Sequence, residues 1–337
     1  MNPLHKKPNL FQYATKELSQ DAFLCWLLAW SDERNCGEDG ALHAAGLNLL
    51  NSLLRLHGEA PLEKPSITIH KQLYHVDIVV EVNQDLILMV EDKVHSTEHA
   101  AQLTYLGNIV REYPNRKVLP IFFKTGDQCD YSDVENAGYL CFLRAQLLSV
   151  LDEGLQLGVT HPIYTDFRDY LWEREASVEA FRQMRIVDWP QGSSSWIGFF
   201  KALKKAKPAM AWGYVHNQSG GFWAAWWHGA EWNGQNVYLQ IEEKQLCFKI
   251  ETEDGANRSQ MRDIWKEVLL EEVEASNTLR VLRPNRLGHG RWMTVAVSEQ
   301  SEWMVADSDG LLDIEGTLAR LSLAESLVSA SVTRSRH

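Results

Sequence analysis

Residues 73–93 read Leu73-Tyr-His-Val-Asp77-Ile-Val-Val-Glu81-Val-Asn83-Gln-Asp85-Leu-Ile-Leu-Met-Val-Glu91-Asp92-Lys93. Two apolar runs flank a polar triplet, and Asn83-Gln84-Asp85 has the chemistry of a short hairpin loop. A turn centred on Gln84 puts Asp77 directly across from Glu91. Lys93 lies two residues past Glu91 and so shares its strand face. Like charges facing one another across a sheet repel, so something must neutralise them. The stretch therefore predicts either a catalytic arrangement of two carboxylates and an ammonium or a structural ion cluster.

The 337 residues are enough for two ordinary domains, and 45% hydrophobic with 23% charged residues is a globular composition. Five scattered cysteines with no C-x-x-C point away from a disulfide framework or a structural zinc, and predict a reducing, cytoplasmic setting. No signal peptide is evident, and the apolar run 22–30 is about half of what a bilayer span needs. The net charge is −12, most of it before residue 188. A protein that grips nucleic acid mainly by charge should be basic, so such a partner here requires local basic patches or bound divalent cations.

In chain order, the pattern predicts a helix over about 15–32 with Thr15 as its cap, and a second helix over about 41–56. Strands follow at 67–69 and on both sides of the central turn, then a helix over about 97–113 closed by Pro114. Buried strands are expected at 118–123 and 139–142, and helices at 145–155 and 161–185. Residues 188–195, rich in turn formers, are the expected linker between a first domain, 1–187, and a second, 196–337. Ten of the thirteen tryptophans fall at or after Trp189. There a lysine-rich helix over 196–207 precedes strand-like runs at 211–216, 222–228, 237–242, 246–251, 279–282 and 292–297, with helices at about 259–274 and 311–332. This predicts an α+β domain with an antiparallel sheet.

Carboxylates are the hard oxygen ligands that magnesium takes, usually one or two together with waters and phosphate oxygens. Asp77 and Glu91 supply two, and a main-chain carbonyl, that of Asp92, can add a third oxygen. A lysine beside such an ion can orient water or offset charge developing on a phosphorane. On these residues the chain resembles the PD-(D/E)xK nuclease superfamily, in an uncharacterised bacterial branch, over about residues 9–150. The resemblance implies an α/β restriction-endonuclease-like core, a mixed sheet flanked by helices. It implies Asp77 and Glu91 as metal ligands and Lys93 as the catalytic lysine. Glu17 of the first helix and Gln102, in Gln102-Leu103-Thr104-Tyr105, become supporting residues. Val76 stands where a proline usually precedes the aspartate, and Tyr105 follows the glutamine by three residues rather than four.

The implied activity is Mg²⁺-dependent hydrolysis of nucleic acid, with Mn²⁺ able to substitute, DNA favoured over RNA, and prokaryotic defence or DNA maintenance as the setting. A homodimer would supply two sites for two strands. The rival reading is a catalytically inactive module that binds nucleic acid or protein as a subunit of a larger assembly. Weaker features are His95 and His99, Glu81, His289, the lysines of 201–207, and Trp212, Trp223, Trp226, Trp227 and Trp232. The last group reads as sheet core more readily than as a base-stacking platform.

Overall fold

Apolar runs long enough to be buried on both faces make β2 (Val76–Val82) and β3 (Leu86–Lys93) the centre of a sheet. They pair antiparallel around Asn83-Gln84-Asp85, with Ile78 opposite Val90 and Val82 opposite Leu86. One further step in that register sets Asp77 across from Glu91, as the sequence predicts. The computed structural model describes residues 7–94, 105–217, 220–253, 255, 257–285 and 287–334. β1 (Ile67–Leu73) adds antiparallel to β2, while β4 (Lys117–Lys124) and β5 (Leu140–Leu143) add parallel beyond β3. The order β1-β2-β3-β4-β5 is a five-stranded mixed sheet.

Four helices cover one face: α1 (Glu17–Trp30), α2 (Gly40–Leu56), α5 (Arg144–Gln156) and α6 (Pro162–Glu179). Their apolar sides meet Ile78, Val80, Val82, Leu88 and Val90. The other face, with Val79, Ile87, Met89 and Phe122, packs on Ile109 of α3 (Leu106–Glu112) and Val134 of α4 (Ser132–Asn136). α1 approaches α2 so closely that a Cβ on Gly46 would lie 2.5 Å from the Leu27 carbonyl oxygen and 2.8 Å from the Ser31 nitrogen. Only glycine lets α1 sit that low, and α1 carries the polar residues that reach the sheet end. α1 begins at Glu17, with Lys16 rather than Thr15 at the cap and no side-chain capping bond. Of the stretch 97–113 expected to be helical, residues 105–113 are described and Leu106–Glu112 are helical; Gln102, His95 and His99 lie outside the described residues.

The chain divides into two compact units, Met1–Ala176 and Ser177–His337. Residues 188–195 belong to the second unit's packing. Trp189 is buried with its ring 5.0 Å from Trp196 and 5.5 Å from Phe199, and its Nε1–H donates to the Met184 carbonyl. Pro190 and Gly192 turn the chain around that ring instead of spacing two domains.

The second unit holds a five-stranded antiparallel sheet, β10-β9-β8-β7-β6. Its strands are β6 (Ala211–Val215), β7 (Phe222–Trp232), β8 (Gln235–Glu242), β9 (Gln245–Glu251) and β10 (Trp292–Glu299). The helices are α7 (Ser194–Ala206), α8 (Arg258–Ser276), α9 (Gln300–Trp303) and α10 (Ile314–Arg334). The strand expected at 279–282 reduces to a single bridge, Leu282 to Val297, and a small hairpin of β11 (Val305–Ala306) and β12 (Leu312–Asp313) precedes α10. No described helix is long and apolar enough to cross a membrane, and all five cysteines are free.

Candidate metal centre

Strand alternation sends Asp77, Glu91 and Lys93 to the sheet face covered by α3. There three oxygens converge on one point, the Lys93 ammonium. Lys93 Nζ donates to Glu91 Oε1 at 2.6 Å, to the Asp92 carbonyl at 2.8 Å and to Asp77 Oδ2 at 3.4 Å. These are the three groups that the sequence assigns as metal ligands. Asp77 Oδ2 also accepts from the Asp92 backbone N–H at 2.9 Å, and Gln72 Nε2 donates to Oδ1 at 3.0 Å. Asp77 is thereby held from both neighbouring strands.

Glu91 is 1% exposed and its Oε2 has no hydrogen-bond partner among the described residues. Burial pushes the Glu91 carboxyl up to about 7; the Lys93 hydrogen bond pulls against this and the Asp77 charge adds to it. Burial also works against the Lys93 charge. The bond to Glu91 and the charges of Glu91, Asp77 and Glu17 outweigh it and hold the ammonium above its ordinary value. Glu17, at the start of α1, also accepts from the Val94 backbone N–H at 3.3 Å, so it stands at the end of β3.

The Asp92 side chain points to the opposite face, under α1, and is fully buried. Gln20 Nε2 donates to Asp92 Oδ1, and Gln20 Oε1 accepts from Thr125 Oγ1 at the end of β4. Asp21 lies within side-chain hydrogen-bond reach of Asp92. Asp21 Oδ1 and Asp92 Oδ2 are buried with no donor among the described residues, and a proton shared between the two carboxyls would relieve their repulsion. Burial, then the Asp21 charge, holds the Asp92 carboxyl well above its ordinary range, and burial raises Asp21 as well.

A raised carboxyl contributes stability that is fully present below its unfolded value and lost as pH climbs towards its folded one. Asp92→Asn keeps the acceptor for Gln20 and offers Asp21 a permanent donor. The variant is expected to lose less stability than wild type in urea titrations between pH 5 and pH 8, and to be the more stable at pH 8. An identical pH slope in the two proteins would sink the shared proton.

Among the sequence-predicted residues, the structure brings Asp77, Glu91, the Asp92 carbonyl, Lys93 and Glu17 to one sheet end. Gln102 lies outside the described residues. Gln20, Thr125 and the Asp92 carboxyl were not anticipated, and Asp21, which shares a helix face with Glu17, reads from the sequence as an acid stabilising the helix start. Asp92 was within reach of strand alternation. Glu81 has partners of its own, Arg116, His70 at 2.9 Å and Tyr113 at 3.4 Å. His289 Nδ1 meets Ser259 Oγ at 3.3 Å.

In the second unit Trp212, Trp227 and Trp232 are core, while Trp223 and Trp226 are partly exposed. The lysine helix is partly committed to structure. Lys204 Nζ donates to the Met210 carbonyl at 2.8 Å and Lys207 pairs with Glu325 at 2.6 Å. Among the described residues no three His, Cys, Asp or Glu side chains group as a metal site. Two carboxylates and a carbonyl are nonetheless a donor set that suits magnesium. No family model matches the chain, and comparisons with curated proteins and with solved structures return no match.

Proposed function

We propose that the first unit is a divalent-cation-dependent nuclease with a restriction-endonuclease-like core, hydrolysing phosphodiester bonds of nucleic acid, DNA by preference. The observation that carries this reading is the convergence of Asp77 Oδ2, Glu91 Oε1 and the Asp92 carbonyl on one cationic point. The orphaned Glu91 Oε2 supports it, because a buried carboxylate oxygen without a donor suits a metal. Magnesium or manganese held by these oxygens would supply Lewis acidity and a water of lowered pKa. Lys93 shares the same oxygens with such an ion and carries three donors, which can serve phosphate oxygens once the carboxylates are otherwise neutralised. Glu17 adds negative charge beside the site, and Gln20 anchors β3 from behind.

Purified protein incubated with plasmid, linear duplex, single strands and RNA, with Mg²⁺ or Mn²⁺, tests the activity. Asp77→Asn and Glu91→Gln are each expected to lower cleavage by roughly 10²–10³-fold; undiminished cleavage in both would overturn the site. Because Glu91 titrates at about 7, the cation competes with a proton below that value. The rise in melting temperature on adding Mg²⁺ is expected to be larger at pH 8 than at pH 6. A second reading has its own observation: Lys93 already neutralises the cage, as a purely structural cluster would require. A nucleic-acid-binding module without hydrolysis predicts tight binding, no cleavage and no magnesium shift.

A further inference from the structure

The turn that delivers the chain to Asp77 is unusual. Leu73 pairs with Val76, so Tyr74 and His75 are the two central residues of a hairpin turn. Both are left-handed, at φ 55° and 69°, which is the geometry of a type I′ turn. Such turns strongly prefer Asn-Gly, and non-glycine left-handed residues cost free energy, the more so when bulky. Two large rings held there instead suggest use of the rings.

The rings border an open cavity of about 360 Å³, at the small end of ligand-site volumes, lined by Tyr74, His75, Asn108, Arg111 and Glu112. His75 lies 5.5 Å from the Tyr105 ring, tilted by 32°, and Tyr74 is 40% exposed. Asn108, Arg111 and Glu112 share one face of α3 by their three- and four-residue offsets. Arg111 donates to Asn108 Oδ1, which turns the Asn108 amide N–H groups to other acceptors. Glu112, which accepts from Tyr74 Oη at 3.3 Å, is an acceptor at the same wall. The cavity therefore offers aromatic faces, amide donors and a carboxylate acceptor, the chemistry that recognises a planar heterocycle with a mixed edge. His75 is two residues from Asp77, about 7 Å of strand, and α3 covers the face on which Asp77, Glu91 and Lys93 stand.

We propose that this cavity takes one unstacked nucleobase of the substrate strand, next to the phosphate that reaches Asp77 and Glu91. Substrates would then be single-stranded or locally opened at the cleavage site. The inference rests on the nuclease reading for its neighbouring phosphate, but base binding itself needs no metal and no hydrolysis.

The test uses the full chain in EDTA at low salt, with a fluorescein-labelled 12-residue dA strand and an abasic strand of the same length and charge. Stacking on aromatic side chains is worth about 1–3 kcal/mol per base, so wild type is expected to prefer the dA strand about 10-fold. The double variant Tyr74→Asn/His75→Gly installs the turn's preferred residues, so it is expected to fold and to melt no lower than wild type. It should bind both strands alike, at the abasic level. A variant that keeps the preference, or a wild type with none, overturns the pocket. If the preference is present and lost in the variant while no substrate is cleaved with Mg²⁺ or Mn²⁺, hydrolysis fails and the pocket stands.

Discussion

Lys93→Met is expected to destabilise the first unit by about 3–5 kcal/mol in the absence of divalent cations, the cost of leaving buried charges without their partner. Lys93 is 3% exposed, and its ammonium touches Glu91, Asp77 and the Asp92 carbonyl. Methionine keeps length and volume but removes every donor. Glu91 relieves part of the damage by keeping its proton, so the deficit should shrink below pH 7, where that carboxyl titrates even in wild type. The decisive arm is magnesium. If the three oxygens form a cation site, the variant's cage is free of its competitor, and Mg²⁺ should raise its melting temperature more than that of wild type. Cleavage should nonetheless fall by about 10²–10³-fold, because stability returns without the donors that offset developing charge. A variant melting like wild type in EDTA would overturn the buried-charge argument itself, and one destabilised but indifferent to Mg²⁺ would make Lys93 a structural counter-ion and not a competitor for a metal.

The hairpin was legible because its loop length and apolar runs fix the register together. Asn83-Gln84-Asp85 leaves one way to pair 76–82 with 86–93, and Asp77 must then face Glu91. The network behind the hairpin was not legible. Gln20, Asp92 and Thr125 are joined by bonds spanning 72 and 105 residues, and no periodicity links such positions. The linker at 188–195 misled because Pro190 and Gly192 signal a turn whether the chain beyond is solvated or, as here, wraps a buried Trp189. That Lys204 is committed to structure was not legible, because a lysine that bonds the carbonyl after its helix is the same letter as one in solvent. The left-handed Tyr74-His75 turn was invisible for the opposite reason: its residues are not those that announce the geometry.

Arg144→Met is expected to cost the first unit about 3–5 kcal/mol as well, by the same buried-charge argument, at a place with no direct contact to Asp77, Glu91 or Lys93. Arg144 is 4% exposed, its guanidinium buried with it. It grips both oxygens of Asp127 at 2.8 and 3.1 Å, Glu175 Oε2 at 2.7 Å and the Thr125 carbonyl at 2.6 Å. Burial opposes its charge, and Asp127 and Glu175 more than restore it. Arg144→Lys is expected to recover only a small part, since a single ammonium cannot reproduce the forked contact. Arg144→Met/Asp127→Leu should regain more, because it removes the stranded carboxylate along with its partner. Thr125 links this cluster to the site, accepting from Arg144 through its carbonyl and donating through Oγ1 to Gln20, which in turn holds Asp92. If that chain of bonds positions β3 and the first unit has the proposed nuclease activity, Arg144→Met should lower kcat at temperatures where the variant is still folded, with KM little changed. A variant that loses stability and keeps kcat would confine Arg144 to holding α5 and α6 against the end of β4.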